Sequence, residues 1–318
     1  MNPKVIVILG PTASGKTGIG VQLAKKFNGE IISADSRQVY RGLDLGTGKD
    51  LKEYDSVRYH LIDICDPEEK FNMFDWLESA RLAVRDILDR GMMPIVVGGT
   101  GLYIQALVEG FTTIKNEKLK IRNSNLKSKK YSREELDLKT SKDLQKILGK
   151  LDLESFNKID QNNPHRLIRA IERVQEGIEI SKIAVPYDFL QIGINLPREK
   201  LYKRIDKRVG SRFEEGMLEE VRGLLDSGIN PKWLHKLGLE YRIISEYLLS
   251  NSKIPVLSSK SISNVKTDEF QEMSQLLKYR IHAFARRQLT WFRRFSQIRW
   301  ISNYDEVEKV AENFLYKK

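Results

Sequence analysis

The chain has 318 residues, 41% of them hydrophobic, which is enough to bury a full core in one large domain with an insertion or a smaller second lobe. A single cysteine, Cys65, excludes an intramolecular disulfide framework and any thiolate-rich metal site, and no apolar run approaches the roughly 18 residues a spanning helix needs, so a soluble cytoplasmic protein without membrane contact is expected. The formal charge of +11 would attract a polyanion such as nucleic acid, although composition alone leaves an ordinary basic protein equally open.

Over the first hundred residues, short β-rich runs alternate with helical patterns, as in a parallel sheet covered by helices. Strands are expected at Lys4–Leu9, Glu30–Ala34, Arg58–Ile64 and Pro94–Gly98. Helices are expected over Lys16–Phe27 and Phe74–Asp89, the second opened by Asn72 and Asp75 as a capping pair. After Gly110 the texture changes: Lys115, Lys118, Lys120, Arg122, Lys127, Lys129 and Lys130 face one acid, Glu117, with almost no apolar pattern, which reads as a mobile, solvated segment. A helical stretch from Ser132 to about Gln175 precedes a returning core strand at Phe189–Leu196. From Arg198 the chain reads as mostly helical, ending in a long basic and aromatic helix around Phe270–Phe295 and a short strand at Arg299–Ser302. The expected fold class is α/β, a P-loop-type parallel sheet flanked by helices. Its expected divisions are a core over residues 1–111, a mainly helical basic insertion over 112–187, and a second core segment with basic C-terminal helices over 188–318.

Gly10, Pro11, Thr12, Ala13, Ser14, Gly15, Lys16 and Thr17 follow an apolar strand and open a helix, the context that a G-x-x-x-x-G-K-[ST] run requires. The glycines let successive backbone N–H groups point at one anion, and the helix N-terminus adds partial positive charge. Lys16 would neutralise phosphate oxygens, and the Thr17 hydroxyl would hold a magnesium ion. The motif implies only that a polyphosphate binds. Asp35, at the carboxyl end of the second strand, should overlook that polyphosphate and could accept a proton; it could equally cap a turn or order a magnesium-bound water. The fourth strand runs into Gly99, Thr100 and Gly101, where backbone N–H groups and the Thr100 hydroxyl could make a second anion contact. Asp63 and Asp66 could serve a metal, although Asp66–Glu69 also reads as a turn.

The motifs GPTASGKT at Gly10–Thr17, SADSRQVYRGLDLGTGK at Ser33–Lys49, HLIDI at His60–Ile64, VGGTGLYIQAL at Val97–Leu107, RIDKRV at Arg204–Val209 and RRQLTWFRR at Arg286–Arg294 span nearly the whole chain. Together they resemble the tRNA dimethylallyltransferases. The resemblance implies transfer of a dimethylallyl group from dimethylallyl pyrophosphate, with Mg2+ assisting, to the adenosine immediately 3′ of the anticodon in tRNAs reading codons that begin with U. It implies that Asp35 takes the proton or hydrogen bond of the adenine amine, that Ser36, Arg37 and Gln38 help hold the flipped nucleotide, and that Thr100, Arg204 and Arg208 stabilise leaving pyrophosphate. HRLIR, comprising His165, Arg166, Leu167, Ile168 and Arg169, resembles the family's second tRNA contact within the anticodon stem-loop, and a monomer is expected. Helical spacing puts Arg166, Arg169 and Arg173 on one face and Leu167, Ile171 and Val174 on another, and the arginines could also be a plain solvated face. Leu237-Gly238-Leu239-Glu240-Tyr241 stands where the family commonly has an Ile-Gly-Tyr run.

Lys115–Lys130 and the helix bearing Arg280, Arg286, Arg287, Arg293 and Arg294 are the candidates for RNA phosphate contacts, while Phe284, Leu289, Trp291 and Phe292 read as core. The rival readings are a P-loop small-molecule kinase with Asp35 as base, an adenylate dimethylallyltransferase acting on free nucleotide, and a nucleotide-gated RNA-binding module without transfer chemistry. SADSRQVY with GGTGLY argues against the kinase, and the basic C-terminal half has no use in the free-nucleotide enzyme.

Overall fold

The structure, a computed structural model, describes residues 2–115, 130–250 and 267–316. These form two compact units, one made of Met1–Val108 with Val185–Lys318 and the other of Glu109–Ala184.

In the first unit the elements run β1 (Lys4–Leu9), α1 (Lys16–Lys26), β2 (Gly29–Ala34), β3 (Tyr59–His60), α2 (Met73–Asp89), β4 (Met93–Gly98) and α3 (Gly101–Val108). The second unit supplies β5 (Phe111–Lys115), α4 (Arg133–Asp137), α5 (Ser141–Leu151), α6 (Leu153–Lys158), α7 (Pro164–Glu176) and β6 (Ile178–Lys182). The chain returns to the first unit with β7 (Asp188–Ile194), α8 (Arg198–Glu214), α9 (Met217–Asp226), α10 (Pro231–Leu237), α11 (Leu239–Ser250), α12 (Asp268–Phe292), β8 (Arg299–Ile301) and α13 (Tyr304–Tyr316).

The six strands of the first unit pair in the order β3-β2-β4-β1-β7-β8, every pair parallel. A parallel sheet is covered on both faces, so its central strands are buried along their length: all of β2, and all of β1 and β4 past their first residue, is buried, β1 and β4 as near-continuous apolar runs. Parallel strands also carry their carboxyl ends to one edge, so the loops after β1, β2 and β4 converge there. Close packing at that edge depends on Gly98, where a Cβ would lie 2.2 Å from the Ala34 carbonyl oxygen. Trp76 of α2 is buried, stacks on Tyr103 at 4.7 Å and donates to the Ser33 carbonyl at 2.9 Å, fixing the end of β2. The Asn72 and Asp75 capping box at the start of α2 is present as the sequence leads one to expect.

Several expected elements are corrected. The third strand keeps only Tyr59 and His60, because Leu61 and Asp63 adopt left-handed φ values of 64° and 56° that end the extended run. The helical stretch from Ser132 to Gln175 is four helices with separate caps, those of α4 and α7 being Ser132 and Asn163, the latter followed by Pro164 at the first helical position. Lys115 ends β5, an antiparallel partner of β6 that the sequence does not reveal, and the final helix α13 is also unanticipated. Of the basic segment, Lys118, Lys120, Arg122, Lys127 and Lys129, with Glu117, lie outside the described residues. The helical unit has its own core, in which Leu136, Leu144, Leu148, Leu167, Ile171 and Val174 are fully or almost fully buried.

Candidate active site

The turn between β1 and α1 is an anion cradle. Gly15, at φ 87°, and Ala13, at φ 60°, sit in the left-handed region that curls the backbone around one point, and α1 starts directly after with no side-chain cap on its first N–H groups. The Ser14 hydroxyl is buried with no hydrogen-bond partner among the described residues, an orphan donor inside the cradle. The Lys16 ammonium lies 3.5 Å from the Pro11 carbonyl. Burial pushes its pKa down to about 8; Arg208 adds to the shift and the Asp35 carboxylate opposes it.

The cradle opens into a cleft of about 210 Å³ that Asp35, Arg37, Gln38, Arg204 and Arg208 also line. Arg204 of α8 donates to the Ser14 carbonyl at 3.2 Å, and Arg208, one turn on, donates to the Thr12 hydroxyl and to Asp50, both at 3.3 Å. Both arginines therefore reach the cradle from one helix face, in keeping with their i, i+4 spacing. Arg212, one turn further, lies 3.5 Å from the same Asp50 oxygen, and burial pushes its pKa down to about 10. Thr17 faces the cleft as well.

On the acceptor side, Asp35 Oδ1 accepts the Arg37 N–H at 3.0 Å, so the turn-capping role is real without using up the carboxylate. Thr100 has its hydroxyl on the Ser36 N–H at 3.0 Å and its own N–H on the Ala34 carbonyl, which ties the loop after β4 to the acceptor loop after β2. Arg37 makes a buried ion pair with Glu240 of α11 at 2.8 Å and lies 5.7 Å from the centroid of Phe284. Gln38 bridges the Ser33 hydroxyl and the Gly48 carbonyl at 2.9 Å each.

Three cleft residues carry no expectation from the sequence, Asp50, Glu53 and Gln288, and Phe284, expected in the core, instead lines the cleft with its ring against the Arg37 guanidinium. Gln288 accepts the Thr12 N–H and donates to the Gly99 carbonyl, both at 2.9 Å, joining the cradle to the loop after β4. Gln288 lies inside the RRQLTWFRR run, between Arg287 and Leu289, and that motif is the signal that contains it. Burial, then Asp50, pushes the Glu53 carboxyl above its ordinary range.

His165–Arg169 belong to the helical unit. Arg166 and Arg169 are exposed, whereas Leu167 and Ile168 are buried in that unit's core and support α7 instead of presenting side chains to a ligand. Neither Asp63 nor Asp66 is a metal ligand in waiting, since Asp63 pairs with the buried Lys49 and Asp66 with Arg41. Among the described residues no group of three or more His, Cys, Asp or Glu side chains could hold a metal. The Thr17 hydroxyl is a side chain that would help hold a magnesium ion brought in with a phosphate ligand, a mode suited to that ion's preference for few protein ligands.

Comparison with known proteins matches the IPP transferase family model to residues 38–295. This chain belongs to the IPP transferase family. The match leaves out the cradle, but a second model, Isopentenyl transferase, covers residues 3–63. One IPP transferase relative, tRNA dimethylallyltransferase 2 of Shewanella sediminis, is 40% identical, the match covering 98% of this chain and 97% of the relative. The crystal structure of the full-length tRNA isopentenylpyrophosphate transferase from Bacillus halodurans is 32% identical with a TM-score of 0.65, covering 98% of this chain and 95% of that one. A eukaryotic dimethylallyltransferase crystallised acting on tRNA aligns with a TM-score of 0.75 over 99% of this chain and 80% of that one; at 24% identity it bears on the fold alone.

Proposed function

We propose that this IPP transferase moves the dimethylallyl group of dimethylallyl pyrophosphate to the exocyclic amine of the adenosine immediately 3′ of the anticodon in tRNAs reading codons that begin with U. The observation that carries the reading is that a phosphate cradle and a carboxylate, Lys16 and Asp35, face one cleft in a chain of this family.

The adenine amine is a poor nucleophile, because its lone pair is delocalised into the ring, so the electrophile must be activated. As the allylic carbon–oxygen bond breaks, its electron pair leaves with pyrophosphate, where the cradle N–H groups, Lys16, Arg204 and Arg208 receive the growing charge. The amine nitrogen forms the new bond to carbon, and Asp35 takes the proton that this nitrogen must lose. Ser36, Arg37 and Gln38 border the nucleotide, with Thr100 holding their loop in place. Magnesium, when bound at Thr17, would neutralise part of the pyrophosphate charge.

The target adenosine leaves its stack at a cost of a few kcal/mol, which contacts to the surrounding loop must offset. Exposed His165, Arg166 and Arg169 of α7 and the basic face of α12 are the surfaces assigned to those contacts. No helix among the described residues is long and apolar enough to cross a membrane, and the reading takes the protein as a cytoplasmic monomer.

Incubation with labelled dimethylallyl pyrophosphate and bulk tRNA, AMP or ATP tests the assignment. Label in tRNA alone is expected. Label in AMP or ATP would favour the free-nucleotide reaction, and absence of label from all three would end the transferase reading.

A further inference from the structure

Glu220, in the first turn of α9, has both carboxylate oxygens engaged by groups far away in sequence. Oε2 accepts the N–H groups of Asp44 and Leu45 at 3.0 and 2.7 Å, and Oε1 accepts the Gly46 N–H at 3.1 Å and the Tyr241 hydroxyl at 2.7 Å. Consecutive backbone N–H groups turned toward one anion make the kind of concavity that elsewhere binds phosphate. Here the anion is the chain's own side chain, and it meets one donor for each of the roughly four lone-pair sites a carboxylate offers. The fit is close: a Cβ on Gly46 would lie 2.5 Å from the Tyr241 ring.

The loop held in this way also reaches the cleft. Thr47, Gly48 and Asp50 line it, whereas Glu220 is not among the lining residues. The Gly48 carbonyl accepts the Gln38 amide at 2.9 Å, and Asp50 accepts from Arg208 at 3.3 Å, with Arg212 3.5 Å from the same oxygen. Gly48 is left-handed at φ 70°, and a Cβ there would lie 1.7 Å from the Arg208 guanidinium, so loop and arginine have no slack between them. Arg208 continues to the Thr12 hydroxyl in the cradle. Gly48 and Asp50, two residues apart, therefore touch the acceptor side through Gln38 and the pyrophosphate side through Arg208. Inside the loop, Lys49 ties the Asp44 carboxylate and the Tyr40 carbonyl at 2.6 and 2.8 Å, which leaves the three N–H groups to Glu220.

We propose that Glu220 is a positioning residue for the transfer reaction: its carboxylate sets the Asp44–Asp50 loop, which fixes Arg208 for the pyrophosphate and Gln38 for the nucleotide at the same time. The inference rests on the reading of this cleft as the donor and acceptor site, and it adds a residue outside the cleft that both halves depend on.

The test measures binding of inorganic pyrophosphate and of an anticodon stem-loop RNA, separately, to the full chain. Glu220→Gln keeps the size of the side chain but has one acceptor oxygen in place of two, so N–H groups of the loop lose their partner. It should weaken pyrophosphate binding about tenfold, and should cost less than about twofold in an Arg208→Ala background, because the group it positions is already gone. Stem-loop binding should weaken several-fold, and not further in a Gln38→Ala background. Tyr241→Phe removes only the hydroxyl on Oε1 and keeps the ring on Gly46; it should shift both affinities in the same direction by about threefold, and it carries the test if Glu220→Gln does not fold. A residue that merely braces the fold would leave both dissociation constants of the folded protein at wild-type values, or change them by one factor in every background. Either result would overturn the proposal, as would a loss confined to one of the two ligands. Failure of the underlying reading shows separately, as a wild type that binds no pyrophosphate or an Arg208→Ala variant that binds it as the wild type does.

Discussion

Lys16 makes the most direct demand on the mechanism, because the protein holds its ammonium at the edge of losing its charge. Burial lowers its pKa from 10.5 to about 8, with Arg208 and Arg37 adding to the shift and Asp35 and Glu53 opposing it. The pKa is lowered, so the free enzyme carries the cation below pH 8 and the neutral amine above it. If the cation is what receives pyrophosphate, only the protonated fraction captures donor. That fraction falls from about nine-tenths at pH 7 to about one-tenth at pH 9, so kcat/KM for dimethylallyl pyrophosphate should drop about tenfold over this range. Bound pyrophosphate favours the charged form, so kcat at saturating donor should hold to higher pH. The assay is initial-rate transfer to a saturating anticodon stem-loop at limiting and saturating donor, from pH 6.5 to 9.5. Lys16→Ala should give a low and flat profile. A wild-type kcat/KM that stays level to pH 9, or the same alkaline limb in Lys16→Ala, would refute the assignment of Lys16 as the titrating donor ligand.

Asp35→Asn keeps shape and much of the hydrogen bonding but cannot take a proton, so the single-turnover rate should fall about 10²- to 10⁴-fold with both substrate affinities near wild type. Full rescue by excess magnesium would show that Asp35 only orders the ion. Glu30 is buried between Arg90 and His60, and the Arg90 hydrogen bond, helped by His60, lowers its carboxyl pKa from 4.5 to about 2. A lowered carboxyl pKa contributes stability above pH 4.5 that is lost as pH falls towards 2; denaturant unfolding should show Arg90→Ala losing about 2 kcal/mol less than wild type across that window, allowing for the partly exposed Arg90. Leu167→Ala should cost the helical unit about 3 kcal/mol, measured by hydrogen exchange, whereas Arg166→Ala should leave exchange unchanged and weaken only tRNA binding.

The parts of the fold that could be read in the sequence are those whose cause is local. β1 and β4 are visible because strands buried on both faces need near-unbroken apolar runs, and α2 because its capping box and apolar spacing coincide. β5 and β6 escape notice because FTTIK and IEISK are mostly half-exposed or exposed, and their pairing joins segments on opposite sides of four helices. The third strand is overextended for a related reason. HLIDI has strand composition, but Asp63 turns to meet the buried ammonium of Lys49, and that contact outweighs local propensity.

The same division holds in the site. The cradle is legible because its chemistry lies in one run of backbone, whereas its supports come from far along the chain: Gln288 reaches Thr12 across 276 residues and Glu240 reaches Arg37 across 203. The second case bears on the run Leu237–Tyr241, which differs from the common family pattern. Leu239 takes a left-handed φ of 44° at the start of α11, and the two residues after it are both engaged. Glu240 holds Arg37, and the buried Tyr241 donates to Glu220 at 2.7 Å. Glu220 in turn accepts the N–H groups of Asp44, Leu45 and Gly46, in the loop that carries Asp50 to Arg208. A substitution at Leu239 changes how the helix begins, while the acceptor loop and the arginine cluster are held by the two residues that follow. The run that departs from the common family pattern therefore itself carries two of the contacts that shape the cleft, Glu240 on Arg37 and Tyr241 on Glu220.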